Sequence, residues 1–104
     1  MEKTMKEAIE ITTFHLAGCS FKEFIAANAD VDAWLRLQPG FQSRRIAQRD
    51  DGSIVDMLIW TTAANATSAM RRLMSELAQS PVHALIDQGT VSWTVASVGH
   101  WVEV

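Results

Sequence analysis

The sequence predicts an α+β fold in the order β-α-β-β-α-β. Three observations carry this: period-two stretches near both ends, a hairpin signal at Asp51-Gly52 between two strand-like runs, and a helix-patterned segment on either side of that hairpin. The chain has 104 residues, enough for one hydrophobic core, so a single domain over residues 1–104 is expected.

The first strand should run from about Ala8 to Leu16, where Ile9 and Ile11 alternate with Glu10 and Thr12. Gly18-Cys19-Ser20 then turns the chain into a helix. Ser20 and Glu23 have the spacing of a capping box, which satisfies two orphan backbone donors at a helix start. Pro39-Gly40 stops that helix near Gln38. At helical spacing Phe21, Phe24, Val31 and Leu35 share a face with Ile25 at its margin, and Asn28 falls in the middle of it. Trp34 lies on one flank, and Leu37 points away.

Phe41 to Arg49 and Ser53 to Thr61 read as the second and third strands. With Asp51-Gly52 as a two-residue type I′ turn, Ala47 pairs with Asp56 and Ser43 with Trp60. That register makes Arg45 and Arg49 the diagonal neighbours of Asp56. The second helix, about Ala63 to Ala78, carries an apolar stripe of Ala66, Ala69, Met70, Leu73 and Leu77, with Arg71, Arg72, Ser75 and Glu76 facing away. Ser80 to Asp87 reads as a short helical connection. The last strand, about Thr90 to His100, sets Val91, Trp93 and Val95 on one face. This is the ferredoxin-like, split βαβ arrangement: a four-stranded antiparallel sheet in the order 4-1-3-2 with both helices on one face. Strand 2 is then an exposed edge, where Arg44, Arg45 and Arg49 would block edge-to-edge pairing or meet a partner chain.

Composition narrows the functional classes. A content of 48% hydrophobic and 20% charged residues is that of a soluble globular protein. A formal net charge of −3 without basic clusters argues against nucleic-acid binding. No stretch is apolar enough for a membrane span, and the opening MEKTMKEAIE lacks the apolar centre of a signal peptide. The lone Cys19 has no partner for a disulfide, so a cytoplasmic location is expected. His15, His83 and His100 are too scattered for a metal signature, and no phosphate loop or nucleophile motif is present.

The stretches QPGFQSRR and DDGSIVDMLIW, the alanine-rich second helix and SPVHALID resemble the antibiotic-biosynthesis-monooxygenase-like family of the dimeric α+β barrel superfamily. The resemblance implies a homodimer whose sheets pack face to face, with a ligand cleft between helices and sheet in each subunit. Its members include cofactor-independent oxygenases and haem-degrading enzymes. The haem-degrading branch looks for an asparagine on the first strand, a tryptophan late in the third and a histidine on the second helix. Only Trp60 matches, so no haem or other cofactor is expected.

Two regions could carry chemistry. At one end of the sheet, His15 near Asp56 could act as a general base toward an activated phenol or quinol. At the other, Trp60, Leu35 and Met70 could shape an apolar cleft for a small aromatic or polyketide-like ligand, with Asn28 orienting it. The expected function is therefore small-molecule binding, as a cofactor-independent monooxygenase or as a non-catalytic binding or assembly module on the same dimeric fold.

Overall fold

A computed structural model describes residues 6–104; residues 1–5, part of the segment read against a signal peptide, lie outside the described residues. The strands are β1 (Ala8–Phe14), β2 (Phe41–Gln48), β3 (Ile54–Trp60) and β4 (Ser92–Ser97). They form one antiparallel sheet in the order β2-β3-β1-β4, the expected topology. Helices α1 (Phe21–Ala26), α2 (Ala29–Leu35) and α3 (Ala63–Glu76) cover one face. Two short 3₁₀ turns, Pro81–Leu85 and Gln88–Thr90, connect α3 to β4. Among the described residues no helix is long and apolar enough to cross a membrane.

The first expected helix is two helices joined at Ala27-Asn28. The Ser20–Glu23 capping box forms at its start as anticipated. At the break, the Asn28 N–H bonds the Ile25 carbonyl, one residue short of the helical partner. The carbonyl so released, that of Phe24, accepts from Asn28 Nδ2 at 2.8 Å instead. An asparagine side chain thus replaces the missing backbone donor, which such residues do readily. Because the break is a single tightened turn, Phe24, Val31 and Leu35 still share one buried face.

The hairpin corrects a second expectation. Arg49 N–H bonds the Ser53 carbonyl at 2.8 Å and Gly52 N–H the Arg49 carbonyl at 2.9 Å, so the loop is Asp50-Asp51-Gly52. Three-residue loops of this kind end on a left-handed residue, and Gly52 supplies it at φ +87°. Asp51 Oδ1 also accepts from the Ser53 N–H at 2.9 Å, which favours this turn over the tighter one. The register moves by one residue: Ile46 opposes Asp56, Ala47 opposes Val55, and Ser43 opposes Ile59. A bulge at Gln42 then sets Phe41 opposite Trp60. A shift of one residue reverses every side chain of a strand. Arg44, assigned to the edge from sequence, turns inward beneath the helices, whereas Arg45 stays exposed.

The facing of β1 follows the same logic. Ala8, Glu10 and Phe14 are buried under the helices, and Ile9 and Ile11 lie on the opposite, helix-free face. The regular strands are also shorter than expected. β1 ends at Phe14, with only an isolated bridge from Leu16 to Ile86 beyond it, and β4 ends at Ser97. The core between helices and sheet is built on Phe14, Phe24, Leu35, Ile54, Leu58 and Trp60. Phe24 meets Phe14 edge-on at 5.4 Å, and Phe41 meets Trp60 at 5.5 Å.

Candidate active site

A cavity of about 410 Å³ lies between the helices and the sheet. Its walls are apolar. Phe24, Val31 and Leu35 come from α1 and α2, Met70, Leu73 and Met74 from α3, and Leu58 and Trp60 from β3. Trp34 stands at the rim, where its indole N–H donates to Glu76 and the Arg72 guanidinium lies 5.8 Å from its ring centroid. Arg72 also donates to Gln38, tying the turn after α2 to α3.

The floor is polar and internally bonded. Arg44 forms a bidentate pair with Asp56, 3.0 Å from Nε to Oδ1 and 2.7 Å from Nη2 to Oδ2. The same guanidinium donates to Asp32 and to Asn28 Oδ1, each at 2.8 Å. The side chains of Arg44 and Asp56 are only 10% and 12% exposed, so the pair is largely removed from water. Burial alone would lower the Arg44 pKa, but the Asp56 and Asp32 carboxylates outweigh it and hold the guanidinium above its ordinary value.

Beside this pair stands Glu10, 4% exposed on the strand between β3 and β4. Trp60 Nε1 donates to one carboxylate oxygen at 2.8 Å and Trp93 Nε1 to the other at 2.7 Å. Burial pushes the Glu10 carboxyl up from its ordinary 4.5, against the indoles of Trp93 and Trp60, which favour the anion. Asp56 pushes it further up and Arg44 pulls it back, and the net direction is upward. His83 lines the opposite wall. Its Nε2 lies 2.8 Å from the Leu77 carbonyl, which can only accept, so Nε2 carries the proton and Nδ1 is the free ring nitrogen of the neutral form.

Asn28, Leu35, Trp60 and Met70 all line the cavity. Asn28 is already engaged at both ends of its amide, by Phe24 and by Arg44, so it fixes the floor. His15 does not reach the cavity. It is exposed at the end of β1, where its N–H donates to Thr90 Oγ1 at 2.9 Å. The Asp51 carboxyl of the hairpin loop is held below its ordinary value by Ser53 first and by the charges of Arg49 and His15 in smaller part. Glu10, Arg44 and Trp93 were missed. One signal for Glu10 was available: indole N–H groups seek acceptors when buried, and the expected strand order sets β1 between the strands bearing Trp60 and Trp93. Among the described residues no His, Cys, Asp or Glu cluster is placed to hold a metal ion.

A four-stranded antiparallel sheet in the order β2-β3-β1-β4 with helices on one face defines a ferredoxin-like α+β fold, the one found in antibiotic-biosynthesis-monooxygenase-like proteins. Among solved structures, the chain is similar to SnoaB from Streptomyces nogalater, a cofactor-independent oxygenase, with a TM-score of 0.73 and 20% identity over 92% of this chain and 96% of that one. It is also similar to a candidate antibiotic biosynthesis monooxygenase from Nitrosomonas europaea, with a TM-score of 0.71 and 12% identity over 96% and 97%. A third is a monooxygenase from the gene ActVA-Orf6 of Streptomyces coelicolor, solved with nanaomycin D, with a TM-score of 0.64 and 18% identity over 95% and 93%. No protein-family model and no curated protein sequence matches the chain, so the likeness is one of fold.

Proposed function

We propose that the protein is a cofactor-independent monooxygenase acting on an aromatic or polyketide-like compound bound in the cavity. The observation that carries this is the cavity itself. Its volume of about 410 Å³, apolar walls and single polar floor suit a fused aromatic ring system bearing a hydroxyl or carbonyl. The oxygenases of the same fold support the reaction class, as an analogy of fold. Without a cofactor, the substrate supplies the electrons. A proton-accepting group on the protein makes it an enolate or phenolate, which can react with dioxygen.

The resemblance and the sheet also support a homodimer. The helix-free face presents Ile9, Ile11, Val55, Met57 and Ile59, an apolar surface that a second sheet would cover. Packing two copies there leaves both cavities on the outer, helix-bearing sides.

The test is oxygen uptake by the purified protein with α-naphthol as probe, without added metal, flavin or nucleotide. Each α-naphthol should consume one dioxygen and yield naphthoquinone and water, one oxygen atom entering the ring as a carbonyl. Met70→Trp, which fills the cavity from α3, should abolish both binding and uptake. Saturable quenching of tryptophan fluorescence without oxygen uptake would instead assign the cavity to a non-catalytic binding module.

A further inference from the structure

We propose that Glu10 holds the hydroxyl of the bound ligand as the acceptor of its hydrogen bond, so that the cavity takes uncharged phenolic ring systems in preference to ionised or carboxylated ones. This rests on the reading of the cavity as a ligand site and names the group that meets the ligand there.

The two ionic elements of the floor differ in what they leave open. Arg44 spends four of its N–H bonds on Asp56, Asp32 and Asn28, so little of the guanidinium remains for an anion. Each Glu10 oxygen receives one indole N–H, from Trp60 or from Trp93, and no basic side chain among the described residues pairs with it. A carboxylate oxygen can accept two hydrogen bonds, so each keeps an unfilled acceptor position. Glu10 lines the cavity, and neither indole has a second N–H to offer. A ligand hydroxyl is the complementary group. An anionic ligand would meet the carboxylates of both Glu10 and Asp56 with the neighbouring guanidinium already committed, an arrangement burial penalises heavily.

The same hydrogen bond is the path by which the proton leaves when an oxidisable ligand reacts, and that transfer balances within the cavity. The phenol O–H bond breaks, a Glu10 oxygen takes the proton, and the bonding pair stays on the ligand oxygen and delocalises into the ring. One negative charge moves from Glu10 to the ligand, and none is added. The upward displacement of the Glu10 carboxyl makes it a better proton acceptor than an exposed glutamate. The other titratable groups around it are Arg44 from β2, Asp56 from β3, Asp32 from α2 behind Arg44, and His83 from the connection to β4. The lining residues of α1, α3 and β4 add no charged group.

The test uses para-nitrophenol, whose phenol and phenolate absorb differently, bound to the full chain. Bound para-nitrophenol should ionise about one pH unit or more above the free compound, equivalent to about tenfold tighter binding of the neutral form. para-Nitrobenzoate should fail to compete. Glu10→Gln, checked for folding by circular dichroism, should lose the preference. In Trp93→Phe, the loss of one indole donor leaves Glu10 higher still. Affinity for the neutral phenol, which falls as pH drops through the Glu10 pKa, should then fall at a higher pH than in wild type. That readout stands even where Glu10→Gln does not fold, and a merely structural Trp93 would not move it. The inference is overturned by equal binding of phenol and phenolate, by a preference that survives Glu10→Gln or is lost instead in His83→Gln, or by no binding of para-nitrophenol. Glu10-dependent phenol selection without α-naphthol oxidation would remove the oxygenase reading alone. Oxidation indifferent to Glu10→Gln would remove this inference alone.

Discussion

Arg44 is the residue on which the cavity floor depends. It balances Asp56 and Asp32 and holds Asn28, and so ties β2 to β3 and to the start of α2. Removing the cation alone strands the Asp56 carboxylate in a site that is only 12% exposed. Arg44→Met should therefore destabilise the protein by about 3–5 kcal/mol in urea denaturation, and Arg44→Met with Asp56→Leu should recover most of the loss. Single-residue roles were the least legible part of the sequence. Asn28 stood out because a polar group on an apolar helix face demands a partner, and it has two. Glu10 did not, because its neighbours Ile9 and Ile11 are the more apolar set of the strand and nothing in the alternation turns Glu10 inward. On a central strand covered on one side by helices and apolar on the other, alternation marks two faces without saying which is which.

At the scale of elements, the strands, the capping box, the stop at Pro39-Gly40 and the apolar stripe of α3 followed from periodicity and turn chemistry. Loop length did not, because Asp50-Asp51-Gly52 satisfies both a two-residue and a three-residue reading. The aspartate hydrogen bond to Ser53 that selects between them is a local contact, but one that either aspartate of the pair could make to a residue two further on, so residue types alone do not settle it. Two glycines show how differently a turn can constrain the chain. Gly52 and Gly40 both have positive φ, +87° and +82°, but a Cβ at Gly52 would meet open space, whereas one at Gly40 would collide with the side chains of Asn65 and Thr61. Gly52→Ala should cost only the backbone term of about 1–2 kcal/mol. Gly40→Ala should cost clearly more, because it also displaces the Asn65–Thr61 hydrogen bond at the start of α3. Thermal denaturation of the two variants side by side checks the order.

For the whole molecule, β1 is the shared wall between two surfaces. Glu10, Thr12 and Phe14 meet the cavity, and its odd-numbered side chains form the centre of the helix-free face. Ile11 is 36% exposed at that centre, opposite Met57 on one side and Thr94 on the other. In a dimer built on this face a charge at Ile11 would be buried without a partner, whereas in a monomer it would be solvated. Ile11→Glu should thus halve the molecular mass seen by light scattering while leaving the circular dichroism spectrum intact. A dimer mass unchanged by the substitution would place the contact between copies elsewhere, and a monomeric wild type would remove the dimer.

The adjacent arginines at 44 and 45 make the attraction to Asp56 blind to alignment. Had the hairpin closed one residue tighter, Arg45 would have turned inward in place of Arg44, and the carboxylate would still have found a guanidinium. Charge therefore cannot choose between the two alignments. The choice falls to the packing of Ile46 against the core and to the hydrogen-bonded Asp50-Asp51-Gly52 loop. An electrostatically strong contact can sit at the heart of a fold and still carry no information about how that fold is threaded.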